Sequence, residues 1–112
     1  MMEELLTKSG EKLHTIDYFV CHQASNFALK KLAQRLDVSD QRLFNDIVPK
    51  YGNSSSATIP VTLCEHNEEM FTDGQIKKVM FAAFGSGMSL GAVLMDMEKP
   101  VCKIMNYPHK NL

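Results

Sequence analysis

No stretch of this 112-residue chain reaches the roughly 20 consecutive apolar residues that a membrane-spanning helix needs. The start, Met1-Met2-Glu3-Glu4-Leu5-Leu6, is acidic and too short in apolar length for a secretory signal. Neither charge sign is in excess. Twelve basic and 13 acidic residues leave a formal net charge of −1, so no global basic field argues for nucleic acid. Three cysteines, an odd and widely spaced set, make no disulfide framework, and a reducing cytoplasmic setting is the expectation. There is no internal repeat and no low-complexity tract. What remains is a composition with 45% hydrophobic and 22% charged residues, that of one globular domain or part of one. Eight methionines supply adaptable core filler and carry no functional signal by themselves.

Residues 2–8 read as the end of a helix that stops near Gly10. Ile16-Asp17-Tyr18-Phe19-Val20 is aromatic and β-branched and reads as a buried strand. From Asn26 the period changes. Leu29, Leu32, Ala33 and Leu36 recur at helical spacing while Lys30, Lys31, Gln34 and Arg35 face away, with Ser25 as N-cap. Residues 37–46 form a connector, and Phe44 to Lys50 reads as a short strand. Ser54 to Glu65 reads as a helix that is apolar nearly all round, and therefore buried, with Pro60 tolerated only in its first turn. Residues 67–75 read as a polar loop with an Asp73-Gly74 turn. Val79 to Phe84 and Leu90 to Met97 are apolar strands joined by Gly85-Ser86-Gly87, which suits a tight hairpin. The order predicts an α/β fold: a mixed sheet with helices packed on it and an antiparallel final strand pair.

Three segments carry candidate chemistry. His22 follows a strand, at the carboxyl edge where α/β sheets bind ligands. Asn53 follows Gly52 and precedes the apolar helix, whose N-terminus adds partial positive charge. Gly85 and Gly87 permit close approach of backbone to a ligand. Each has a plainer reading: an exposed histidine, a Gly-Asn-Ser turn, an ordinary hairpin. Cys21 adjoins His22, but strand neighbours point to opposite faces, so the two make a poor catalytic pair. Cys64 lies about three turns along its helix from Asn53, and Cys102 lies in the tail. The cysteines and histidines show no metal-ligand spacing, and His14, His66 and His109 read as surface residues.

In order and spacing, Cys21-His22-Gln23-Ala24-Ser25-Asn26, Tyr51-Gly52-Asn53-Ser54-Ser55-Ser56 and Phe84-Gly85-Ser86-Gly87-Met88-Ser89-Leu90-Gly91 resemble the C-terminal half of 3-oxoacyl-[acyl-carrier-protein] synthase III, in the thiolase-like superfamily. The resemblance covers residues 10–97, most of a partial thiolase-like C-terminal domain at 1–97 that a tail follows at 98–112. It implies a Cys-His-Asn triad of which this chain holds His22 and Asn53, the nucleophilic cysteine belonging to the N-terminal half. It further implies that the Ser86 backbone N–H serves an oxyanion hole, and that Gln23, Phe84, Gly85 and Gly87 border the substrate. Ser86 stands where the family often has glycine, Ser25 where it commonly has asparagine, and Phe27 where it often has arginine. The basic helix face of Lys30, Lys31 and Arg35 reads either as a solvated surface or as a contact for coenzyme A or an acyl carrier protein.

The function so implied is decarboxylative Claisen condensation of an acyl thioester with a malonyl thioester, in an acyltransferase that needs no cofactor beyond the phosphopantetheine its substrates carry. The chain alone is expected to have no condensing activity and to self-associate or pair with a cysteine-bearing half. Neither nucleic acid nor membrane is an expected partner. The rival expectation is a non-catalytic assembly module that binds another thiolase-like half or a carrier protein. The tail residues Val101, Ile104, Met105 and Tyr107 are expected to cover part of the face left open.

Overall fold

The computed structural model describes residues 2–85, 89–102 and 105. Its sheet has the order β1 (Tyr18–Cys21), β2 (Lys77–Gly85), β3 (Ser89–Met97). β1 and β2 are parallel, with Tyr18 opposite Val79 and Cys21 opposite Ala82. β2 and β3 are antiparallel, from Lys77 opposite Met97 to Gly85 opposite Ser89. The expected mixed sheet and antiparallel final pair are both present. Ser86 and Gly87, between β2 and β3 in sequence, lie outside the described residues.

Period-two alternation sorts the strand side chains into two cores. On one face Phe19, Cys21, Met80 and Ala82 pack against Leu29 and Ala33 of α2 (Asn26–Leu36) and Leu6 of α1 (Met2–Ser9). On the other, Val20 and Val79 pack with Phe44, Met70 and Phe71. α4 (Thr58–Met70) lies on this second face, so helices flank the sheet on both sides.

α2 forms as its pattern predicts. The Ser25 hydroxyl accepts from the Ala28 N–H at 3.3 Å, capping the first turn. Asp37, at φ 55°, ends the helix in the left-handed region, with its N–H turned back to Ala33 and Gln34.

Two readings of the connecting chain change. Residues 44–50 form no strand. Leu43 makes a single parallel bridge to Phe19, and a short helix α3 (Ile47–Tyr51) follows. Pro49 is the third residue of α3, where its missing N–H would have had no helical partner. The helix expected to stop at Glu65 continues to Met70, taking in residues read as loop. Glu68 and Glu69 are polar because they sit on its exposed side. Pro60 falls in the first turn of α4.

α4 buries a polar stripe as well as part of its apolar side. Thr58, Thr62 and His66, spaced four apart, are buried against the body with Asn67 and Met70. Ile59, Val61, Leu63 and Cys64 remain half-buried. The polar stripe is satisfied from within: the Thr62 hydroxyl donates to Thr58 O at 2.6 Å. His66 stacks on Phe44 with ring centroids 3.8 Å apart. Its Nε2 meets Asp46 Oδ1 at 2.8 Å, and its Nδ1 meets Glu69. The surface reading of His66 is therefore overturned. That of His14 holds, and His109 lies outside the described residues.

The start of the tail packs along α4, with Lys99 Nζ 2.9 Å from Glu68 Oε2 and Asn67 Nδ2 donating to Pro100 O at 3.4 Å. Val101 and Met105 are exposed and cover nothing. Ile104 and Tyr107 lie outside the described residues.

α3 and α4 are tied by Glu65, which pairs with Lys50 and accepts from the Tyr51 hydroxyl at 2.6 Å. The Lys50 contact, and then Tyr51, holds the Glu65 carboxyl below its ordinary value of 4.5. A carboxylate with a lowered folded pKa stabilises the fold above its unfolded value and loses that contribution as pH falls through the folded one. The urea midpoint is therefore expected to fall as pH drops below 4.5, and less steeply in Glu65→Gln. Identical acid limbs for the two proteins would show that the tie does not matter.

Candidate active site

His22 stands one residue past β1, and its N–H donates to Ala82 O at 2.8 Å, extending the parallel pairing. Because Phe19 and Cys21 face the α2 side and Val20 the α4 side, the alternation turns His22 toward α4. There its Nδ1 lies 2.5 Å from the Thr58 hydroxyl oxygen. The same oxygen accepts the Gln23 N–H at 3.1 Å. Cys21, one residue away, points into the opposite core, and burial pushes its thiol up to about 12. A thiol so placed is inert, as the strand geometry implied.

Gln23, the residue after His22, turns inward. It is fully buried, and its Nε2 donates to Cys21 O at 2.9 Å and Phe44 O at 3.0 Å. The side chain braces the chain after β1 against the connector and reaches neither cavity described below.

Asn53 is set by local backbone geometry. Gly52, at φ 75°, closes α3 in a conformation that favours glycine. Asn53 Oδ1 then accepts the Ser55 N–H at 2.9 Å, and a 3-10 turn (Ser55–Ala57) leads into α4. With Oδ1 engaged, the amide is left to donate through Nδ2.

Two cavities share His22 and Phe84 as a wall. The first, about 390 Å³, is bounded by the start of α4 and the β2–β3 hairpin, including Ser55, Thr58, Gly85 and Gly91. Asn53 does not line it, but Ser55, whose N–H Asn53 accepts, does. The second, about 260 Å³, is apolar and faces α2 through Ala24, Ala28, Leu29 and Leu32. Of the expected site residues, the structure thus gathers His22, Phe84 and Gly85 at one place with the Asn53 turn beside it. Ser86 and Gly87 lie outside the described residues.

Lys30, Lys31 and Arg35 are exposed along α2, away from both cavities, and Lys31 Nζ lies 5.6 Å from the Phe27 ring centroid. Cys64 and Cys102 meet where the tail docks on α4. Burial and the neighbouring Cys64 push the Cys102 thiol up to about 11. Neither borders the His22 cavities. Among the described residues no group of three or more His, Cys, Asp or Glu could hold a metal. Nor is any helix among them long and apolar enough to cross a membrane.

Thr58 is the site residue that the sequence reading missed. It was hidden in a run taken as apolar. The signal available was the spacing of Thr58, Thr62 and His66, a polar stripe at four-residue intervals.

Residues 6–97 match the family model for the C-terminal region of 3-oxoacyl-[acyl-carrier-protein] synthase III. The beta-ketoacyl-[acyl-carrier-protein] synthase III of Streptococcus suis (strain 05ZYH33) is 34% identical over 98 residues, 86% of this chain and 30% of that protein. The enzyme of the same name from Rickettsia bellii (strain OSU 85-389) is 36% identical over 97 residues, 84% of this chain and 29% of that protein. Among solved structures, 3-oxoacyl-(acyl carrier protein) synthase III from Pseudomonas aeruginosa PAO1 superposes with a TM-score of 0.78 at 27% identity, covering 89% of this chain and 31% of that one. The Aquifex aeolicus VF5 enzyme gives 0.75 at 33% identity, covering 85% and 30%. The chain spans about 30% of the length of the curated relatives it matches.

Proposed function

This chain belongs to the 3-oxoacyl-[acyl-carrier-protein] synthase III family, over that family's C-terminal region, and from that we propose that it forms half of a condensing active site. The whole site joins an acyl thioester to a malonyl thioester carried on coenzyme A or acyl carrier protein, a step of fatty acid biosynthesis in the cytoplasm. The observation that carries the reading is His22, held by Thr58 at the wall of a cavity whose other side is the β2–β3 hairpin.

In this reading His22 Nε2 and Asn53 Nδ2 donate to the malonyl thioester carbonyl oxygen. The bond to the malonyl carboxylate breaks, carbon dioxide leaves, and its electron pair becomes an enolate. Donors already aimed at that oxygen stabilise the charge as it develops. The enolate carbon attacks the acyl carbonyl held on a cysteine, the Ser86 N–H stabilises the tetrahedral oxyanion, and the thiolate departs. That cysteine comes from another segment or chain. Cys21 faces the wrong core, and Cys64 and Cys102 lie away from the cavity. Phe84 and Gly85 border the acyl group, and the Lys30, Lys31 and Arg35 face meets the carrier.

The test is malonyl-thioester decarboxylation by the purified chain, with His22→Ala and Asn53→Ala. Condensation is expected to be absent. Slow decarboxylation is expected in the wild-type chain, and each substitution should lower it by about 10²-fold or more, as loss of one oxyanion donor does. Equal rates in all three proteins would sink the reading.

The half-buried apolar residues of α4 and the exposed Leu90, Val93 and Met95 favour a second reading, an assembly module that pairs with another thiolase-like half or a carrier protein. A folded chain without decarboxylase activity, binding its partner equally well with and without His22 and Asn53, would select it.

A further inference from the structure

We infer that Thr58 is a positioning residue that fixes the tautomer of His22: its hydroxyl donates to Nδ1, which places the ring proton on Nε2. The inference deepens the proposed function, since only a protonated Nε2 donates to a thioester oxygen. The tautomer itself follows from hydrogen-bond accounting at one buried atom.

A threonine hydroxyl has one proton to give and two lone pairs to receive with. The Gln23 N–H, at 3.1 Å, occupies one lone pair of Thr58 Oγ1, because a backbone amide only donates. The 2.5 Å contact with His22 Nδ1 then runs one of two ways. If Nδ1–H donated to Oγ1, the hydroxyl proton would need another acceptor. The usual one for a helical threonine is the carbonyl four residues back, and Thr7, Thr62 and Thr72 all use it. Thr58 does not. Its hydroxyl makes no other hydrogen bond among the described residues, and the residue is fully buried, so water offers no substitute. That arrangement strands a buried donor. The reverse arrangement satisfies every group: Gln23 N–H to Oγ1, and Oγ1–H to Nδ1.

Sequence and fold both serve this geometry. Strand alternation turns His22 toward α4, and Thr58 opens α4 with its hydroxyl facing β1. The Gln23 amide locks the hydroxyl's orientation, and Gln23 is itself fastened to Cys21 and Phe44. Nε2 is the ring nitrogen left to the cavity wall. Fixing one nitrogen so that the other carries the required proton is how histidine roles are generally set.

The experiment is an NMR correlation of the His22 carbon-bound ring protons with the two ring nitrogens, on the full chain at alkaline pH, for wild type, Thr58→Val and Thr58→Ser. In wild type, Nε2 is expected to carry the proton, and the Nδ1 resonance to be displaced as that of a hydrogen-bonded acceptor. In Thr58→Val the displacement is expected to disappear and a protonated-Nδ1 population to emerge. Thr58→Ser should restore the wild-type pattern. A protonated Nδ1 in wild type, or an Nδ1 resonance unchanged by Thr58→Val, overturns the inference. The wild-type spectrum decides even if the valine variant fails to fold. The readout needs no substrate, so failure of the condensing-site reading leaves the tautomer intact, and failure of the tautomer leaves the decarboxylation test standing.

Discussion

Replacing Phe19 with alanine is expected to remove about 3–5 kcal/mol of folding stability, the range for deleting a buried aromatic side chain. Phe19 is fully buried at the middle of β1. Its N–H donates to Arg42 O at 2.7 Å, and the Arg42 guanidinium lies 5.9 Å from the ring centroid. The ring packs with Met80 and Ala82 of β2 and with Leu29 and Ala33 of α2. A cavity there loosens both neighbours of β1 together. A domain of this size holds only about 5–15 kcal/mol in total, so the substitution takes a large share of it. The melting temperature should drop by about 12–20 °C, at roughly 4 °C per kcal/mol. Val101→Ala is the control, since Val101 is fully exposed and such changes stay within about 0.5 kcal/mol. A drop in Phe19→Ala no larger than in that control would mean that this core is not where the chain's stability lies.

The elements that could be read from the sequence were those whose local pattern and tertiary role agree. β1 is β-branched and aromatic because it is buried on both faces. α2 has one apolar stripe because it has one sheet to cover. Ser25 caps because an extended backbone ahead of a helix leaves an N–H to satisfy. The misread elements are those where another part of the chain decides. Ile47 and Val48 are β-branched, yet they open a short helix in which Ile47 is fully buried and Lys50 and Tyr51 meet Glu65 of α4. His66 lies between acidic and amide residues in sequence and looks solvated. Phe44 covers its ring, and its two nitrogens face Asp46 and Glu69. At the site, His22 and Phe84 could be found from motif context. Gln23 and Thr58 could not be sorted that way. The residue next to His22 in sequence turns inward, and the one that touches its ring is 36 positions away.

The mixed burial of α4 leads to the second large expected effect, on association. Helix side chains normally bury their apolar stripe. Here Thr58, Thr62 and His66 face the body, Ile59 and Leu63 pack only in part on the second core, and Val61 stays half-buried. Beside them, Val93 and Met95 of β3 are 56% and 44% exposed. Val93 lies opposite Phe81 and Met95 opposite Val79, which places both on the α4 side of the sheet. α4 packs over β1, and Val93 and Met95 of β3 stay exposed on that side of the sheet. Surfaces of this kind on soluble proteins mark association. The natural occupant in the proposed reading is a second thiolase-like half, and for the chain alone it is another copy. Sedimentation at high concentration is therefore expected to give a mass above the 12.6 kDa of one chain. Val93→Lys with Met95→Lys places two charges in that surface, and its buried core should be unaffected. The double variant is expected to sediment as a monomer with a wild-type melting profile, less any part that association contributes by mass action. A well-folded wild-type monomer at high concentration would refute the surface as a self-association site and leave a different partner as its only occupant.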